Sequence, residues 1–136
     1  MCSSDLRLEE DLRQILEREP DNVQALNALG FTLADRTDRY AEAHALIERA
    51  LKASPDDFYI LDSMGWVLFK LGKPADALPY LNRAYRLRKD PEVAAHLGEV
   101  LWVLGRRDEA RARWDEAGKR NPENPKLTET RKRLES

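Results

Sequence analysis

The sequence predicts an all-α solenoid, a stack of antiparallel helix pairs, and three observations carry the prediction. The first is a recurrence: Gly30, Gly65 and Gly98 stand 35 and 33 residues apart, each directly after a Leu or Met. The second is the pattern around each glycine: Leu26-x-x-Leu29-Gly30-x-x-Leu33, Leu61-x-x-Met64-Gly65-x-x-Leu68 and Ala94-x-x-Leu97-Gly98-x-x-Leu101. The third lies downstream, where Ala43, Ile47 and Ala50, then Ala77, Leu81 and Ala84, then Ala110, Trp114 and Ala117 repeat one spacing. Apolar positions three and four apart share one face of a helix. A fixed period holding two such faces is the signature of a repeat architecture.

The 136 residues are 42% apolar and 35% charged, which suits one helical domain with a well-solvated surface. Cys2-Ser3-Ser4-Asp5-Leu6 resembles the in-frame translation of a sequencing adapter. Residues 1–6 are therefore expected to be an assembly scar or a disordered start, with the natural protein continuing upstream. Lipid modification of Cys2 would need a signal peptide ahead of it, and only Met1 precedes it. Leu8, Leu12 and Ile15 then mark a helix over 7–19, the second half of a truncated repeat.

Six helices are expected next, at about 23–35 and 40–53, 57–71 and 74–88, 91–104 and 107–119. Asn22, Asp57 and Asp90 stand where N-caps belong, able to accept first-turn amides. Pro91 takes the first helical position, where its missing N–H costs nothing. Gly72 and Gly105 stand where the first helix of a pair must stop. Pro79, in the second turn of the helix opened by Pro74, removes one backbone bond and should bend that helix. The glycine of each first helix is expected to face an alanine of the second, so that the axes approach closely. Full repeats thus occupy 23–56, 57–90 and 91–122. Residues 123–136, with a polar helix at 125–134, cap the stack and solvate its end.

The stretch Leu61–Gly72 is the densest. Leu61, Met64, Gly65 and Leu68 form one stripe, and Tyr59, Asp62, Ser63, Trp66, Phe69 and Lys70 form another. A helix patterned on two sides is either buried all round or keeps a second face for a partner.

Several functions are disfavoured. The net charge is −2, with acids and bases interleaved, which argues against nucleic acid or an anionic membrane surface as partner. No apolar run approaches the ~20 residues of a spanning helix, so no direct membrane insertion is expected. The single cysteine leaves no disulfide within this chain. Glu92, His96 and Glu99 share a helix face, but no second ligand helix accompanies them, so no metal is expected. Gly72, Gly105 and Gly118 are isolated and make no phosphate loop, so no cofactor is expected. Asp62, Ser63 and His96 have the residue types of a hydrolytic triad. Asp62 and Ser63 are neighbours, however, so their side chains diverge by ~100° on a helix, and no nucleophile elbow or oxyanion hole is evident. Arg83, Arg86, Arg88 and Lys89 close a helix, where the dipole favours cations, so they do not signal RNA.

The pattern Leu-x-x-Leu-Gly-x-x-Leu, then Ala-x-x-x-apolar, with Pro20, Pro55 and Pro122 closing units, resembles the tetratricopeptide repeat, a family of ~34-residue helix-turn-helix units. The first frame position, aromatic in the family, is Leu26, Leu61 and Ala94 here. The first repeat has an extra residue in its turn between Asp35 and Tyr40, and the second lacks a closing proline. The resemblance implies a right-handed superhelical solenoid. First helices would line a concave face and second helices would form the convex back. The wording of Asn27–Thr37, Ile60–Trp66 and Ala95–Trp102 is further similar to the C-terminal repeats of long proteobacterial members. Some of these are outer-membrane lipoproteins that act as adaptors for periplasmic proteases. That likeness implies the periplasmic face of the outer membrane; without it the chain reads as cytoplasmic.

On the implied concave face, the expected partner-binding residues are Asn27, Phe31, Asp62, Ser63, Trp66, Phe69, Lys70, His96, Glu99 and Trp102. Phe31, Trp66, Phe69 and Trp102 are the expected anchors, since desolvated aromatics dominate binding. Asn27, Asp62 and His96 could hold backbone groups of an extended or helical peptide. Tyr59 is assigned to packing. The Lys/Asn/Arg carboxylate clamp of some family members is not matched, because the corresponding positions hold Asn27, Phe31, Ser63, Glu92 and His96. The chain therefore reads as a non-enzymatic module that binds a protein or peptide in its groove, as the tail of a larger bacterial adaptor. The alternatives are a structural spacer, a segment that self-associates through its leading half-repeat, or an accessory domain of an enzyme.

Overall fold

The computed structural model describes residues 3–136, which form eight helices and, among the described residues, no strand. They are α1 (Ser3–Arg18), α2 (Val23–Arg36), α3 (Tyr40–Ala53), α4 (Phe58–Lys70), α5 (Pro74–Leu87), α6 (Pro91–Val103), α7 (Arg107–Arg120) and α8 (Pro125–Glu135). Met1 and Cys2, with the readings attached to them, lie outside the described residues.

Local chemistry sets the helix ends. The side chains of Asn22, Asp57 and Asp90 accept amides of the first turn, at 2.9 Å from Ala25, 2.9 Å from Tyr59 and 2.8 Å from Glu92. Asn124 does the same for Leu127 at 3.0 Å, a cap absent from the sequence reading. Gly72 and Gly105 take φ of 80° and 83°, a region that suits glycine. Each closes a Schellman motif. Lys73 N–H donates to the Leu68 carbonyl at 2.9 Å, and Arg106 N–H to that of Leu101 at 2.8 Å. Pro79 sits on the exposed side of α5, and the helix continues through it to Leu87. At the N-terminus the helix already begins at Ser3, ahead of the expected start at residue 7. It is tied down at Glu9, which is 8% exposed and receives Arg39 at 2.6 Å and Arg13 at 2.7 Å. The hydrogen bond from Arg39 is the chief cause that holds the Glu9 carboxyl below its ordinary range.

α2 pairs with α3, α4 with α5, and α6 with α7. The expectation that glycine faces alanine holds in part: a Cβ on Gly30 would lie 3.1 Å from the Ala43 carbonyl oxygen and one on Gly65 3.3 Å from that of Ala77, but the nearest neighbour in every pair is bulkier. Gly30 lies under Ile47, Gly65 under Leu81 and Gly98 under Trp114, the bulky middle residue of each downstream triplet. A Cβ on Gly30 would lie 2.5 Å from Cγ1 of Ile47, and one on Gly65 2.5 Å from Cγ of Leu81. A Cβ on Gly98 would fall within the Trp114 indole. The seam is thus a knob seated in a glycine hole, with the small alanines flanking it. Ile47, Leu81 and Trp114 are each 0% exposed. Full burial of such side chains contributes ~1.5–3 kcal/mol each.

Neighbouring pairs stack unequally. α2 packs on α4 and α4 on α6, whereas among the described residues α3, α5 and α7 do not pack on one another. The first helices therefore sit on the inner, shorter arc, and their shared face is the concave one. α8 follows the third pair and packs mainly on α6 rather than α7, burying Leu127 and Thr130. The result is an all-α helical-repeat solenoid. Among the described residues no helix is long and apolar enough to cross a membrane.

Candidate functional site

The concave face is polar, yet much of it is buried. On α4 every residue from Ile60 to Leu68 is buried, and on α6 every residue from Val93 to Leu101. α4 therefore lies among its partner α5, both helices of the preceding pair, α2 and α3, and α6 of the next pair.

Its centre is a pair of side chains from successive first helices. His96 Nδ1 donates to the Asp62 carboxylate at 2.8 Å and 3.1 Å. Burying either group alone would carry a desolvation cost that the pair offsets. His96 is 2% exposed and stacks on Trp66 with ring centroids 4.2 Å apart. The ring of Phe31 on α2 is tilted toward His96, with centroids 5.9 Å apart. Trp66 in turn donates Nε1–H to Asp35 of α2 at 3.3 Å. One polar layer thus crosses three helices, α2 to α4 to α6. Ser63 Oγ donates to the Tyr59 carbonyl at 3.0 Å, so its hydroxyl serves its own helix and forms no relay with His96.

The expected site residues divide into three groups. Asn27, Phe31, Asp62, Ser63 and His96 line one pocket of about 220 Å³ between α2, α4 and α6, together with Tyr59, Asp90 and Glu92. Trp66, Phe69, Lys70 and Glu99 form a second cluster beside it. There the Phe69 ring is 5.2 Å from Trp66, and Lys70 Nζ is 5.1 Å from the Trp66 centroid. α8 leans over this cluster. Lys126 Nζ stands 5.4 Å from the Trp66 centroid, and Arg133 donates to Glu99 at 2.6 Å. Trp66 is 3% exposed, so it forms the groove floor. Trp102 stands apart: its ring lies against α7, 5.6 Å from Trp114, with Arg107 and Arg111 at 4.6 Å and 5.0 Å.

Tyr59 corrects its expected packing role. It is 57% exposed, its ring tilted against Phe58 with centroids 4.1 Å apart, at the rim of the pocket. Lys126 and Arg133 were not among the expected site residues. Their charge was visible, but the way α8 rolls onto α6 was not. Among the described residues no group of three His, Cys, Asp or Glu converges as metal ligands would.

Comparison with known proteins places this geometry. One tetratricopeptide repeat model matches residues 9–58 and 31–94, and another matches 68–134. TPR repeat-containing protein PA4667 of Pseudomonas aeruginosa is 60% identical over 93 residues, which cover 68% of this chain and 16% of that protein. Type IV pilus assembly protein PilF of the same organism is 32% identical over 100 residues, 69% of this chain and 38% of its own. The chain thus spans well under half the length of these curated relatives. The crystal structure of TTC0263, a thermophilic TPR protein of Thermus thermophilus, superposes with a TM-score of 0.76 at 24% identity, covering 88% of this chain and 67% of that one. That likeness speaks to the fold. Tetratricopeptide repeats are in general non-enzymatic scaffolds for protein–protein interaction. With matching models laid across helix pairs that share one glycine-and-knob seam, the chain belongs to the tetratricopeptide repeat family.

Proposed function

We propose that this chain binds a segment of a partner protein along its concave face, as one part of a larger bacterial scaffold or adaptor. The observation that carries the reading is the pocket between α2, α4 and α6. It is open to solvent, and it is lined by Asn27, Phe31, Asp62 and His96 on three successive helices. Polar groups fixed on rigid helices, beside partly exposed aromatics, suit recognition of a peptide at low ordering cost. Phe31 and Tyr59 are the accessible anchors in this reading, with Trp66 as floor. The likeness to a type IV pilus assembly protein favours a partner in the cell envelope, and the resemblance of the sequence to adaptor lipoproteins makes a periplasmic protease one candidate.

A photo-crosslinking amino acid placed at position 31, and separately at exposed Asn82 on α5, tests the reading in bacterial extracts. A partner crosslinked from position 31 and not from 82 is the expected result. Equal crosslinking from both, or from 82 alone, would overturn it.

One observation supports a second reading. Leu6, Leu8 and Ile15 of α1 are 49%, 44% and 38% exposed, an apolar edge at the start of the stack. Self-association through that edge would show as a concentration-dependent mass in sedimentation equilibrium, abolished by Leu8→Lys/Ile15→Lys.

A further inference from the structure

Each half of the concave face has its own charge. The half under α8 meets cations, through Lys126 on Trp66 and Arg133 on Glu99. The open half holds Asp62, Asp90 and Glu92 in its lining and no Lys or Arg. Asp90 is occupied as the cap of α6 and Asp62 as the partner of His96. Glu92 is exposed, and among the described residues it takes part in no ion pair.

A second, independent observation concerns hydrogen bonding. Two buried atoms of pocket-lining residues have no partner: Asn27 Oδ1 and His96 Nε2. With Nδ1 of His96 donating to Asp62, Nε2 accepts whenever the ring is neutral. Asn27 Oδ1 is an acceptor in any state, and a buried acceptor without a donor is costly. What completes the pocket at Asn27 must donate. An ammonium offers three N–H donors and a guanidinium five, and neither accepts. The rings of Phe31 and Tyr59 supply faces that attract the same charge.

We propose that the pocket between α2, α4 and α6 recognises a lysine or arginine side chain of a partner polypeptide. The proposal rests on the concave-groove reading and gives it a chemistry. α8 provides the internal precedent. A helix with four cations among its 11 residues already lies on the neighbouring half of this face, seating one cation on an aromatic ring and another on a carboxylate. A basic partner segment would continue that arrangement into the open half.

The test is selection of random phage-displayed peptides on the whole chain, followed by amide-shift mapping of a selected synthetic peptide. Its analogue with norleucine at the basic position and the variant Glu92→Gln are measured alongside. Glu92 is exposed, so the fold of that variant is checked simply by its helical circular dichroism. The expected result is enrichment of Lys or Arg, with shifts at Asn27, Phe31 and His96. Binding should weaken about two- to fivefold with Glu92→Gln, more with norleucine, and further as salt rises. Peptides that map to the groove without basic enrichment, or whose norleucine analogue binds equally, would overturn the cation pocket and leave groove binding standing. Peptides that map to α3, α5 and α7, or a selection that recovers none, would overturn both.

Discussion

The two sides of α4 are built on opposite terms. Toward α5 it offers Gly65 as a hole for Leu81, flanked by Leu61 and Leu68, and nothing there needs a hydrogen bond. Toward α2 and α6 it offers Asp62 and Trp66, and each finds a partner on a different helix. Both sides are buried to a similar degree, yet they fail in different ways. The seam is sensitive to volume, because a close-packed contact has no room to give. The floor is sensitive to unpaired polar atoms, because a buried donor or acceptor cannot turn to water. The seam therefore reports on the fold, and the floor on the site that the fold carries.

The sharpest way to break this contrast is Gly98→Ala. In an exposed helix the change would gain about 1 kcal/mol of helix propensity. Here the new methyl meets the Trp114 indole, which is 0% exposed and stacked on Trp102. Overpacking of ~1–3 kcal/mol or more should win, and calorimetry should show a clear fall in Tm. Gly118→Ala, with nothing within 4 Å of the added carbon, should raise it. A Tm for Gly98→Ala at or above that of the unchanged chain would refute the knob-in-hole account.

Asp62→Ala comes next. It leaves both ring nitrogens of His96 unpartnered at 2% exposure, a loss of ~1–3 kcal/mol. Adding His96→Leu removes the orphaned ring and should recover part of that loss, so urea melts of the cycle should show coupling of ~0.5–3 kcal/mol. Strict additivity would mean that the pair is incidental.

Arg133→Ala is the smallest. Its side chain is 55% exposed, so the pair with Glu99 is worth at most about 1 kcal/mol after solvent screening. Global stability should barely move, while amide exchange across Leu127–Leu134 quickens as α8 loses its hold. Unchanged protection of α8 would show that Leu127 and Thr130 hold it without the ion pair.

Much of this was legible in the chain itself, for reasons visible at particular residues. Asn22, Asp57 and Asp90 cap because an acceptor one residue ahead of a helix has few other uses. Gly72 and Gly105 stop helices because the left-handed turn they adopt suits glycine. The site was half legible. Asn27, Phe31, Asp62, Ser63 and His96 come together because a regular repeat carries equivalent positions onto one face. Trp66 and Trp102 look alike in sequence, but one is buried as the groove floor, stacked on His96, and the other is turned onto α7.

The repeat and the limits of its six paired helices were determined by the sequence to within a residue or two, because propensity, capping and periodicity act over a few residues at a time. Three features waited for the tertiary structure: the bulky knob over each glycine, the Asp62–His96 pair across 34 residues of chain, and the roll of α8 that puts Lys126 over Trp66. Each depends on the angle and offset at which separate helices meet. Those are set by the summed shape of many side chains, and no local stretch encodes them.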